Sequence, residues 1–173
     1  MDTKKIAGTA IFAALTIVFT LISNYVAIGG VSINLAMLPI ALAGILFGPW
    51  SALIVGLING GFVLLAPSTS SFFAINAWAT VLVCLLKSSL AGLFGGLIYL
   101  PFKNSKARIA GSILVSLLVP IFNTSLFIVG CLIFFNGAFG SLVSIFISVN
   151  FIIELVATGI IAPLISNIVL KNN

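Results

Sequence analysis

Long apolar runs alternate along this chain with short polar breaks, at intervals that suit helices crossing a bilayer. Six runs stand out, at residues 4–28, 39–48, 50–66, 75–100, 109–135 and 142–170. The first, fourth, fifth and sixth reach the roughly 20 apolar residues that a crossing helix needs. The second and third are shorter and meet at Gly48-Pro49, a pair that breaks helices. Pro39 suits the first turn of the second helix. The third carries Gly56, Asn59, Gly60 and Gly61, as expected of a packed or partly irregular helix beside a cavity.

The breaks differ in character. In residues 29–38, Ser32 and Asn34 alternate with Ile33, Leu35 and Met37, which predicts a loop folded back on the protein, placed to cap a site. Residues 67–74 read as a polar loop tipped by Phe72 and Phe73, and 136–141 as a short turn. The expected fold is an all-α integral membrane protein: one domain over residues 1–173 with six transmembrane helices.

Composition agrees and removes whole classes of function. The chain has 173 residues, 62% hydrophobic and 5% charged, with a mean hydropathy of +1.40. A soluble domain carries about 25% charged residues. No G-x-x-x-x-G-K-[ST] loop is present, so ATP is not bound in the P-loop manner. There is no histidine, which removes the commonest metal ligand and general base, and no cofactor is expected. Cys84 and Cys131 lie in apolar runs and read as small core residues. The first run follows Lys4-Lys5, has no small-x-small cleavage site after it, and reads as a retained helix rather than a signal peptide.

The net charge of +5 does not point to nucleic acid, because the charges sit at membrane edges. Lys4, Lys5, Lys103, Lys106, Arg108 and Lys171 are six of the seven basic residues. Six spans place all of them on one side, which the positive-inside rule makes the cytoplasm. Both termini are then cytoplasmic, and the expected location is a bacterial cell membrane.

The exception is Lys87, near the middle of the fourth run. An ionisable group at that depth is expensive, from about 2.5 kcal/mol on insertion scales to more than 10 in simulations. Such a group faces a protein interior, a wet cavity or a ligand. At 1.5 Å per residue, Lys87, Asn123 and Glu154 all lie about 18 Å in from the outward ends of their spans. Asn59, Thr124 and Asn150 lie within a turn or two of that level. Two readings remain. The polar groups can be glue between helices, with Lys87 paired to Glu154. Alternatively they floor a small-molecule site open to the outside, with Lys87 meeting a carboxylate or phosphate and the Asn and Thr side chains meeting amides and hydroxyls. Trp78 can line such a site or lie at the membrane interface. On the first span, Ala10 and Ala14 make a flat strip that admits another helix, from within the chain or from a partner.

The sequence resembles the substrate-binding S components of energy-coupling factor vitamin transporters. The resemblance lies in Ala10-Ile11-Phe12-Ala13-Ala14, in Asn34-Leu35-Ala36-Met37-Leu38-Pro39 running to Phe47-Gly48-Pro49-Trp50, and in Asn150 with Glu154. It covers essentially the whole chain. It implies a vitamin binder that docks on a transmembrane T subunit carrying two ATPase subunits, through Ala10 and Ala14, and topples in the membrane to release its cargo. Asn123-Thr124 followed by Phe127 and Gly130 looks most like the pantothenate-type members. Together the polar level and the resemblance give an expected substrate-binding set of Asn34, Asn59, Trp78, Lys87, Asn123, Thr124, Asn150 and Glu154. Pyridoxine, a hydroxymethylpyrimidine or riboflavin are alternative cargoes. A solitary proton-coupled transporter using Glu154 is a different class of answer, though six short spans are few for alternating access. An intramembrane enzyme has no evident nucleophile–base pair.

Overall fold

The computed structural model describes residues 3–25, 27–28, 31–32, 35–135 and 140–171, and side-chain surroundings at 3–23, 35–135 and 151–171. Helix α1 is Thr3–Tyr25, followed by a strand pair, β1 Ala27–Ile28 and β2 Val31–Ser32. Then come α2 Met37–Phe47, α3 Pro49–Val63, α4 Ser70–Ile75, α5 Ala77–Tyr99, α6 Arg108–Phe134 and α7 Gly140–Lys171.

The shortest of the long apolar segments is the central one. Every residue of α2 from Met37 to Ile45 is buried. A helix that is apolar all round belongs in the middle of a bundle, and α2 touches α1, α3, α5, α6 and α7. Those five surround it in the order α1, α3, α5, α6, α7, and β2 touches both α1 and α7. The helix begins at Met37, so Pro39 sits inside its first turn, where a missing N–H leaves no bond unmade. It ends at Gly48, whose φ of 98° favours glycine. Pro49 opens α3 at once.

Helices α3 and α5 pack in close antiparallel contact, and the contact is made of glycine. A Cβ on Gly60 would lie 2.5 Å from the Cys84 carbonyl oxygen, and one on Gly92 would lie 2.5 Å from that of Ala52. Gly56 meets Ser88 and Gly96 meets Pro49 in the same way. Both helices thus present glycines four residues apart, the spacing that brings membrane helices together.

Residues 67–74 are not the open polar loop expected from their serines. A 3-10 turn at Pro67–Thr69 leads into α4, and Asn76 then caps α5 by accepting from the Ala79 N–H at 3.1 Å. Apolar packing explains the difference: the Phe72 ring meets Phe127 and Phe135 of the α6 region edge-on, at 5.7 and 5.4 Å. The 29–38 break likewise holds strand β2 and the start of α2.

Thr3–Ser23, Ala77–Phe102, Arg108–Phe134 and Phe151–Lys171 are long and apolar enough to cross a membrane. Helix α3 with the bent segment Pro67–Ile75 makes a fifth candidate. The 11 residues of α2 extend about 16 Å, too short for a hydrocarbon core of about 30 Å. Among the described residues the chain is therefore all-helical apart from the two-residue strands, with four to five apolar spans where the sequence predicts six.

Candidate functional site

The register between helices fixes the level of each polar residue. A Cβ on Gly92 would meet Ile40, and one on Gly44 would meet Gly96, so α2 runs alongside the C-terminal half of α5. Extending that register puts Met37 beside Ser88 and Ser89. The part of the five-helix ring around the N-terminal half of α5 therefore continues beyond the N-terminus of α2. Trp50 and Trp78 mark the two ends, 67% and 86% exposed respectively. Pro49 lies against Gly96, so the two tryptophans are about 27 Å apart along α5. Lys87 falls midway between them.

A chain of hydrogen bonds crosses four helices where α2 begins. Thr20 Oγ1 lies 2.9 Å from Asn59 Oδ1 and 2.8 Å from the Thr16 carbonyl, sharing its one proton. Asn59 Nδ2 donates to Ser88 Oγ at 2.9 Å, and Ser88 Oγ donates to Asn123 Oδ1 at 3.2 Å. These links tie α1 to α3, α3 to α5 and α5 to α6. Asn59 is 0% exposed, with both its oxygen and its nitrogen engaged. The chain thus has the bonding expected of glue between helices.

Lys87 stands apart from that chain. It is half-buried, and its Nζ lies 4.5 Å from the centroid of the Phe127 ring. Among the described residues Lys87 is in no ion pair, so the Lys87–Glu154 pairing weighed from the sequence is not formed. Glu154 is 2% exposed and occupies the face of α7 that also buries Thr158, Ala162 and Ser166.

The structure therefore divides the expected set. Asn59 and Asn123 come together through Ser88. Thr124 is half-buried on α6, beside Asn123 in sequence. Trp78 lies on the outer surface at the end of α5 and does not join the buried polar groups. Asn34 and the side chain of Asn150 lie outside the described residues. Ser88, Thr20 and Phe127 were not singled out as site residues. The signal for Thr20 was its alignment with Thr9, Thr16 and Ser23, all buried on one face of α1. On the opposite face Ala10, Ile11, Ala14, Leu15 and Val18 are exposed.

A family model described as ECF transporter, substrate-specific component, matches residues 4–166. The chain belongs to that family. As a substrate-specific component it binds cargo for a transporter and is not an enzyme. Membership implies docking with a T subunit and an ATPase module, and with the apolar helices it marks a multi-pass membrane protein. No curated protein and no solved structure matches the chain.

Proposed function

We propose that this substrate-specific component captures pantothenate from the outer side of a bacterial cell membrane and hands it to a T subunit with two ATPase subunits. The observation that carries the reading is Lys87. Its ammonium lies midway between the two exposed tryptophans with an aromatic face beside it and, among the described residues, no ion pair. An isolated cation at that depth calls for an anionic partner, and pantothenate brings one carboxylate with an amide and hydroxyls. Thr124, half-buried on the neighbouring helix, is available to the hydroxyls, and Asn34, Asn150 and Glu154 complete the proposed set.

With α2 counted as a short pass enclosed by the other helices rather than by lipid, six membrane passes with both termini cytoplasmic fit the same picture. Thr9 bonds Ser51 at 2.8 Å, Pro49 meets Gly96, and Arg108 Nη1 donates to the Leu170 carbonyl at 3.4 Å. These contacts gather the N-terminal, 102–108 and C-terminal basic residues at one end, opposite Trp78. Docking uses the exposed face of α1 at Ala10 and Ala14.

Calorimetric titration of the detergent-purified chain tests the cargo. Pantothenate is expected to bind, and Lys87→Met is expected to weaken it by about ten- to a hundredfold, the range for a hydrogen bond to a charged group. The neutral primary amide of pantothenate should lose little. Equal losses for both would make Lys87 a structural residue.

A further inference from the structure

An ammonium has three N–H donors and no acceptor. One side of the Lys87 ammonium is covered by the Phe127 ring. A ring face attracts a cation through its quadrupole, more weakly than a carboxylate does through charge-assisted hydrogen bonds. The two partners compete for one group. Phe127 is itself held: Phe72 of α4 meets it edge-on at 5.7 Å, and Phe72 meets Phe135 at 5.4 Å. The ring stays in place when the flexible lysine moves.

We propose that Phe127 is a specificity-determining positioning residue, which holds the Lys87 ammonium on its face while the site is empty and yields it to a carboxylate. The proposal rests on the reading in which Lys87 meets an anionic cargo. The ring sets a threshold. A carboxylate offers the ammonium more than the ring does, so Lys87 crosses over. A neutral ligand offers less, so Lys87 stays on the ring and adds nothing to binding. Discrimination then comes from the difference between two partners of one lysine, not from its charge alone.

The test uses the full chain in detergent with lysine labelled with carbon-13 at Cε, and the Lys87 signal is assigned by its loss in Lys87→Arg. In the ligand-free chain the Lys87 ε-methylene is expected upfield, displaced by the ring, and Phe127→Leu removes the displacement. Pantothenate abolishes it and the neutral amide leaves it. Calorimetry then gives a signed series. Phe127→Leu binds pantothenate about two- to thirtyfold more tightly, the range a cation–π contact spans. Phe127→Trp binds it more weakly, and the affinity for the amide follows neither change.

An undisplaced Lys87 signal in the ligand-free chain overturns the proposal. A displacement that survives in the pantothenate-bound chain overturns the exchange and leaves the substrate reading standing. A folded chain that keeps the displacement and binds no pantothenate overturns the substrate reading and the exchange together. Should Phe127→Leu misfold, shown by loss of amide binding as well, Phe127→Trp and the wild-type displacement decide.

Discussion

Asn59 shows how a residue that looks like a ligand contact becomes a joint between helices. Its amide serves Thr20 on one side and Ser88 on the other, with no exposed surface. Asn59→Leu removes one of the two bonds of each hydroxyl, leaving Thr20 on the Thr16 carbonyl and Ser88 on Asn123, and we expect it to lower stability by about 1–2 kcal/mol, the scale of such bonds inside membrane bundles. Unfolding in mixed micelles measures this, and Asn59→Leu with Ser88→Ala should cost less than the two single losses added together, because the two residues share a bond. An unchanged midpoint would mean that the amide bonds contribute nothing net. The asparagines were legible in the sequence because amides are conspicuous in apolar runs. Their partners were not. A serine or threonine in a helix can donate to the carbonyl four residues back, as Thr16 and Ser89 do, so the alignment of Thr20 with Thr9, Thr16 and Ser23 marks a buried face without saying which hydroxyl crosses to another helix.

At the scale of elements, the α3–α5 contact depends on the absence of side chains. A Cβ on Gly60 meets backbone, which cannot step aside, whereas a Cβ on Gly61 meets nothing within 4 Å. Gly60→Val is therefore expected to destabilise the chain by about 1–3 kcal/mol or more, while Gly61→Ala changes the unfolding midpoint little. Comparable losses at both positions would show that close approach of the two helices does not set the requirement. The small residues between Ser88 and Gly96 announced a tight packing surface in the sequence. The central place of α2 was also written there, in an apolar run with no polar face. Helix α4 was hidden for a physical reason: six residues give no room for a period, and consecutive serines favour turns as readily as first helical turns.

For the whole molecule, the two faces of α1 divide the work. One face is laid on the bundle through Thr9, Ala13, Thr16, Thr20 and Ser23. The other leaves Ala10 and Ala14 exposed at small-residue spacing. Ala14→Trp is expected to abolish pantothenate uptake by vesicles containing the complete transporter, while the isolated chain binds the vitamin within about twofold of wild type, well under the tenfold that 1.4 kcal/mol would produce. Loss of binding in the isolated chain would place that face inside the folded unit instead. The basic ends were legible from charge alone, because Lys4, Lys103 and Lys171 flank apolar runs. The short α2 also gives the molecule uneven stiffness. The half that holds α2 is a solid stem, where each ring helix leans on the core, and the half beyond it is a rim braced mainly by neighbours. Local opening needs least free energy where buried contacts are fewest. Breathing should therefore be greatest at the lip, while the stem holds its shape.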